Sequence, residues 1–374
     1  KENVIATFGT LAACIAGSMA STDIIAQNTT NEEKVAYLFT YFNGNAPHEE
    51  QICYAISDDG YNFTPLNHGK PVINSDSIAL TGCVRDPHIL RCEDGKTFYM
   101  VVTDMKSSLG WSSNRGMVLL KSTDLINWTH STVHFPTKYP KKWGNVIRVW
   151  APETVYDNKT GKYMVFYSLR TSDNNSFDRI YYSYVNDDFT DLEGEPIYMF
   201  DNGRATIDGD IVFNEADNLY HLFYKSESGR GIFQATAKQL TPEPGKRPGS
   251  QWTMIPGNVE QTQEAVEGVG VCKSIDGKSW IIMYDCYMNG HYQFCKSTDL
   301  KTFSFVQNTK TEGKFTPRHG TIIPITQAEK DRLLKEFGNH TNPILPDFHA
   351  DPEVLYSKKT NKFYIYSTTD GLPG

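Results

Sequence analysis

The chain has 374 residues, enough for one large domain with a sizeable core or for two smaller ones. Its formal net charge is −8 and its basic residues form no stripe, which argues against nucleic acid as a partner. Aromatic residues make up 13% of the chain, which suits a strand-rich fold with rings free to stack on a ligand.

Taken in order, the run Val4 to Ala20 is small and apolar, follows Lys1 and ends in a Ser-x-Ala pattern at Ser18 to Ala20. Residues 1–20 therefore read as a signal peptide with a shortened charged start, and the mature protein is expected to be secreted or periplasmic. Leu11-Ala12-Ala13-Cys14 also resembles a bacterial lipoprotein box. Lipidation of Cys14, giving an outer-membrane lipoprotein, would be the one route to a membrane, because no other segment is long and apolar enough to span a bilayer. Residues 21–33 are polar and read as a flexible lead. Six cysteines follow (Cys53, Cys83, Cys92, Cys272, Cys286 and Cys295). Their irregular spacing fits no compact disulfide framework and contains no Cys-x-x-Cys zinc pattern, so their pairing stays open.

Val35 to Phe42 and Gln51 to Ser57 read as strands, with Asp59-Gly60 as a turn signal behind them. A Ser-x-Asp element followed by an aromatic residue then recurs as Ser57 to Phe63, Ser122 to Trp128 and Ser297 to Phe303, with a looser copy at Asn186 to Phe189. Such repetition marks stacked β units. Between these copies, five stretches each place a polar residue at the mouth of an apolar strand: Arg85-Asp86-Pro87-His88, Trp150-Ala151-Pro152-Glu153, Ile207-Asp208-Gly209-Asp210, Val266-Glu267-Gly268 and Arg318-His319-Gly320. They lie about 50 to 70 residues apart, a propeller-blade spacing. The expectation is an all-β, five-bladed β-propeller over residues 34–338. Four blades fall near 82–135, 148–200, 205–255 and 264–307. The fifth pairs the Arg318 strand with the N-terminal strands at 35–66, which leaves no free sheet edge at the closure. Helical periodicity is nearly absent until Gln327 to Phe337. Residues 339–374 repeat the first blade: Asp351-Pro352-Glu353 and Lys362 to Tyr366 echo Asp86-Pro87-His88 and Thr97 to Val101. They read as the start of a second propeller module or, alternatively, as an extra strand pair of the first.

If each anchor opens the innermost strand of its blade, Asp86, Asp208 and Glu267 converge at one end of the channel. Inverting hydrolysis of a glycosidic bond needs one ionised carboxylate to deprotonate water and one protonated carboxyl to support the leaving oxygen, about 6.5–9.5 Å apart. A third acid nearby can raise the second one's pKa. Trp111, in the polar turn Gly110 to Arg115, is a candidate stacking platform for a sugar face, and Trp150, Arg318, Tyr292 and Phe294 are weaker candidates that packing explains as readily.

Asp86-Pro87, Ile207-Asp208 and Val266-Glu267-Gly268, in that order and spacing, resemble glycoside hydrolase family 43, whose five-bladed propellers act mostly on arabinofuranosides and xylosides. Trp150-Ala151-Pro152-Glu153 resembles that family's second-blade motif and Arg318-His319-Gly320 its fifth-blade motif. The resemblance covers about residues 35–330, and Phe348 to Pro352 resembles the start of another member, so a second catalytic module in the same chain is expected. By this resemblance Asp86 is the general base, Asp208 the pKa modulator and Glu267 the general acid, with Trp111, Trp150, Glu153, Arg318 and His319 contacting an oligosaccharide or polysaccharide substrate. The counterpart of His319 lies by the axis near a bound cation or water cluster, which implies a structural calcium there. No cofactor is required for the reaction. The chain departs from the family in having Glu153 where Asp is usual and Gly209-Asp210 where Pro often follows Ile-Asp. Asp210 is thus a rival for the role of Asp208, since strand alternation puts both on one face.

Each residue also has a plain structural reading: Asp86 as a turn cap, Asp208 as an Asx-turn residue, Glu267 as a solvated edge residue, Glu153 as a partner of Arg148 or Arg318, and His319 as a core histidine. The function expected is an exported inverting glycosidase that removes arabinofuranosyl or xylosyl residues from plant polysaccharides. Its rivals are a non-catalytic carbohydrate-binding propeller, an exo-galactosidase and a retaining fructan-type hydrolase, the last lacking its Asn-Asp-Pro-Asn and Glu-Cys motifs here.

Overall fold

The computed structural model describes residues 32–228, 231–309, 315–339 and 350–368. The expected signal peptide, Cys14 and most of the polar lead lie outside the described residues.

Strand β1 (Lys34–Phe42), β2 (Cys53–Ser57) and β3 (Thr64–Pro65) open the chain, and four antiparallel blades follow. Blade 1 is β4 (Val84–Arg91), β5 (Phe98–Asp104), β6 (Gly116–Ser122) and β7 (Thr129–His134). Blade 2 is β8 (Val146–Asp157), β9 (Lys162–Thr171), β10 (Arg179–Val185) and β11 (Leu192–Phe200). Blade 3 is β12 (Thr206–Asn214), β13 (Leu219–Ser226), β14 (Gly231–Ala237) and β15 (Thr253–Ile255). Blade 4 is β16 (Glu267–Lys273), β17 (Trp280–Cys286), β18 (His291–Ser297) and β19 (Ser304–Asn308). Strand β20 (Arg318–Thr326) pairs with β1, so the fifth blade has the order β20-β1-β2-β3 and joins both ends of the domain. The inner strands touch in a closed cycle, β4-β8-β12-β16-β20. The five-bladed propeller expected from the anchors is the fold.

The runs became strands because nearly every blade's two inner strands are sandwiched between neighbouring blades. β5 (Phe-Tyr-Met-Val-Val-Thr-Asp) and β17 (Trp-Ile-Ile-Met-Tyr-Asp-Cys) are buried at every position. A strand covered on both faces reads as continuous apolar sequence rather than as alternation. Five apolar clusters fill the blade interfaces, one between each adjacent pair. Fully buried rings such as Tyr41, Tyr167, Phe39 and Phe166 each contribute about 1.5–3 kcal/mol. The Ser-x-Asp repeats are identical cassettes. In the second, Ser122 Oγ donates to Asp124 Oδ1, which accepts the N–H groups of Ile126 and Asn127. The same bonds recur at Ser57/Asp59 and Ser297/Asp299.

The helix Gln327–Phe337 stands where periodicity placed it. It starts with a capping box between Thr326 and Glu329, and Glu329 also takes a bidentate contact from Arg91 at 2.7 and 2.8 Å. All six cysteines from Cys53 onward are free and buried, packing as small hydrophobes. Strands β21 (Ala350–Ser357) and β22 (Lys362–Thr368) form a separate two-stranded sheet.

Every inner strand carries the same irregularity near its start. In blade 1, Arg85 pairs with Thr103 but His88 pairs with Val101, so one extra residue is accommodated. Matching register shifts separate Trp150 from Glu153, Ile207 from Asp210, Glu267 from Gly270, and the partners of Arg318 and Thr321. These are β-bulges, which re-aim side chains at a barrel or propeller rim. The bulged residue adopts positive φ at Asp86 (53°), Ala151 (43°), Asp208 (50°) and Gly268 (60°).

Candidate active site

The repeated bulge sorts the channel residues into three registers, one above the other. Uppermost are Arg85, Trp150, Ile207, Glu267 and Arg318; the bulged register is Asp86, Ala151, Asp208, Gly268 and His319; below lie His88, Glu153, Asp210, Gly270 and Thr321. Asp86, Asp208 and Glu267 thus meet at one end of the channel. Asp208 and Asp210 both reach towards β16, but the bulge between them puts the two in different registers. Asp208 Oδ2 accepts the N–H of Gly268 at 3.0 Å, beside Glu267. Asp210 Oδ2 instead accepts the N–H of Val271 at 2.6 Å, one register deeper.

Asp86 is held as a carboxylate. Its Oδ2 accepts from Thr103 Oγ1 at 2.8 Å, and Thr103 in turn accepts the N–H of Ala151 at 2.9 Å. Its Oδ1 lies 3.4 Å from His319 Nδ1. Burial works to raise the Asp86 pKa, but the hydrogen bond and charge of His319, together with Arg85 and Thr103, bring it below the usual carboxylate value. Burial would lower the pKa of His319, yet the charges of Asp208 and Asp86 push it up to about 9, so the ring is a cation at neutral pH. Gly268 packs on this ring. A Cβ there would lie 2.6 Å from His319 Cγ, so the glycine is needed both for that approach and for its φ.

Glu267 is clasped by two cations. Lys225 Nζ donates to its Oε2 at 3.1 Å and Arg318 Nη2 to its Oε1 at 3.2 Å. Lys225 also pairs with Glu227 at 3.0 Å and lies 4.7 Å over the Tyr287 ring. Arg318 Nε donates to the buried Asp285. Asp208 is raised to about 6 by burial, with the charges of Glu267 and Asp86 adding to it and His319 and Lys225 opposing.

Glu153 is not beside Arg148 or Arg318. Arg148 pairs with Asp178 at 3.0 Å, and Glu153 sits in the lower register, 3.7 Å from His88 Nε2. Its Oε2 has no hydrogen-bond partner. Burial, followed by the charges of Asp210, Asp208 and Asp86, raises its pKa well above the usual value. The donor atoms of His88, Glu153 and Asp210 lie within 4.8 Å of one another. His88 Nδ1 accepts the N–H of Thr154 at 3.2 Å, so the neutral ring carries its proton on Nε2 and is not free to ligate a metal there. His319 Nδ1 is likewise engaged by Asp86.

At the mouth, Trp111 is 49% exposed and meets Trp150 edge-to-face at 6.3 Å. The Arg85 guanidinium lies 5.2 Å over Trp111 and that of Arg148 lies 4.2 Å over Trp150. Asp86 and Glu267 retain 14% and 24% of their side-chain surface, against 4% for Glu153, so the first two face the opening. Tyr292 and Phe294, read from sequence as weak stacking candidates, are fully buried core residues instead. Sequence reading missed Thr103, Lys225 and Asp285. The signal for Lys225 was a lysine ending the apolar run Leu219 to Tyr224; Thr103 and Asp285, closing strand-like runs, stand out in no comparable way.

An alpha-L-arabinofuranosidase of Bifidobacterium longum subsp. longum is 28% identical over 248 residues, 57% of this chain and 23% of that protein. An invertase of Schizosaccharomyces pombe is 28% identical over 120 residues, 32% of this chain and 18% of that one. The chain thus spans less than a quarter of the length of either curated relative. A crystal structure of an alpha-L-arabinofuranosidase from Lactobacillus brevis superposes with a TM-score of 0.49 at 13% identity, covering 78% of this chain and 87% of that one. The family described as "Probable glycosyl hydrolase domain", related to glycoside hydrolase family 43, matches residues 32–331, and the chain belongs to it.

Proposed function

We propose that the domain is an exported, inverting glycosidase that removes arabinofuranosyl or xylosyl residues from plant polysaccharides or oligosaccharides. The observation that carries this reading is that Asp86, Asp208 and Glu267 meet at one open end of the channel, with Asp86 kept ionised by His319 and Thr103. In this reading Asp86 takes a proton from water as the water oxygen bonds to the anomeric carbon. The glycosidic C–O bond breaks, and Glu267 gives its proton to the leaving oxygen. In this reading Asp208 is the modulator standing by the acid, while Lys225 and Arg318 position the Glu267 carboxyl. Trp111 and Trp150 form the corner on which a sugar face stacks. The arabinofuranosidase relative and the apolar run Val4 to Ala20 support the substrate class and export. A structural calcium on the axis would take its oxygens from Glu153 and Asp210, since His319 Nδ1 is held by Asp86; its role would be to fix the lower register.

Proton NMR of the first-formed sugar, released from arabinofuranoside and xyloside substrates, tests this reading. The inverted anomer, lost in Asp86→Asn, is expected. A retained anomer would favour the fructan-type mechanism. No turnover with intact oligosaccharide binding would make the domain a binding propeller.

The same proposal extends to β21 and β22. Ala350 pairs with Thr368 and Glu353 with Tyr366, the register shift that marks every inner strand, with Asp351-Pro352 at the bulge. Val354, Leu355, Phe363 and Tyr366 are exposed on this hairpin. It has the pattern of an inner strand pair belonging to a second propeller module.

A further inference from the structure

Blade 4 carries another cluster of ligating side chains at the rim beside the active site. Cys286 ends β17 and His291 begins β18, and the two are cross-strand partners, so their side chains leave the sheet on the same side. Glu264, in the loop before β16, reaches the same point. One donor atom from each of the three lies within 4.8 Å of the others. His291 Nε2 and Glu264 Oε2 are 3.0 Å apart.

A plain ion pair does not account for this geometry. His291 Nδ1 lies 3.4 Å from the carbonyl oxygen of Asn289, which can only accept, so Nδ1 bears the ring proton and Nε2 of the neutral ring presents a lone pair. Both Nε2 and Oε2 are buried, and neither has a hydrogen-bond partner although they lie 3.0 Å apart. In that tautomer the Nε2 lone pair, the Glu264 carboxylate and the fully buried Cys286 sulfur converge on one point, three donors that a single cation would share. Their spacing fits a shared ion: metal–N and metal–O bonds of about 2.0–2.2 Å put neighbouring tetrahedral donors roughly 3.3 Å apart. A ring that gives its other N–H to a carbonyl is the usual state of a metal-bound histidine. Thiol, imidazole and carboxylate together suit zinc or a similar transition metal, whereas calcium and magnesium prefer oxygen alone.

We propose that Glu264, Cys286 and His291 bind one zinc-type divalent ion, with water at the fourth position; binding releases the Cys286 thiol proton to solvent. The side chains of Glu264 and His291 are 32% and 18% exposed, which leaves a path for that water. The ion would staple the turn 287–290. Tyr287 on this turn lies under Lys225, which holds Glu267, so the site is built into the wall of the channel mouth.

Cobalt(II) titration of the full, metal-stripped chain tests the proposal independently of any glycosidase activity. One equivalent should bind with a thiolate-to-cobalt charge-transfer band that zinc displaces. Cys286→Ser should lose that band, and His291→Ala and Glu264→Gln should each weaken binding at least tenfold. His291→Ala removes a partly exposed ring and keeps the test open should Cys286→Ser not fold. Absence of a thiolate band, a band that persists in Cys286→Ser, or unchanged affinity in both other variants would overturn the site and leave only a Glu264–His291 ion pair.

Discussion

In the proposed mechanism Asp86 meets two opposing demands, since a buried carboxylate favours its proton while a general base must be ionised. His319 and Thr103 decide the balance, and their geometry depends on Gly268. Gly268→Ala would force a Cβ into the His319 ring and a strained φ, costing roughly 1–3 kcal/mol. Urea unfolding and kcat measured on the same variant should both fall. In the proposed mechanism Lys225 positions Glu267 rather than reacting. Lys225→Met should slow hydrolysis of substrates with poor leaving groups about 10- to 100-fold, and aryl glycosides with good leaving groups much less. Rescue by Lys225→Arg separates this role from packing. Asp210 also bears on stability. Burial raises its pKa to about 7, so the unfolded chain releases this proton at lower pH than the folded one does. Its contribution is greatest below the unfolded value near 4 and is lost as pH rises through about 7. Asp210→Asn should therefore raise Tm by several degrees at pH 8 and little at pH 4, in paired thermal melts.

At the scale of elements, the bulge repeated in all five inner strands puts each register of polar residues around the axis. Plain alternation would pair Asp208 with Asp210; the bulge parts them and gives each its own N–H donor. The helix after β20 is fixed by one side chain. Glu329 closes the capping box and receives Arg91 of β4, tying the fifth blade to the first. Glu329→Gln would keep the local cap but lose the charged bidentate contact, an expected loss of about 1–3 kcal/mol in denaturant melts with activity per folded molecule unchanged. The cassette turns were readable because they are local: Ser, Asp and an aromatic at fixed spacing determine their own hydrogen bonds.

Over the whole molecule, stability depends on closure. The pairing of β20 with β1 joins residues nearly three hundred positions apart, and the five interface clusters are complete only when that blade is in place. Deleting residues 34–66 would strip three of its four strands and leave β20 unpaired. The expected outcome is a chain without a cooperative melt, checked by calorimetry.

By itself the sequence determined the blade count, the blade boundaries to within a few residues and the positions of Asp86, Asp208 and Glu267, because each depends on local patterns: turn chemistry, apolar runs and repeat spacing. The tertiary structure alone decided which acid stands with which partner. The bulges, the placement of Glu153 beside His88, the clasp of Lys225 and Arg318 on Glu267 and the burial of Tyr292 and Phe294 arise where distant strands meet around the axis. No local pattern encodes these contacts, since each is made by residues from different blades whose separation the closed ring sets.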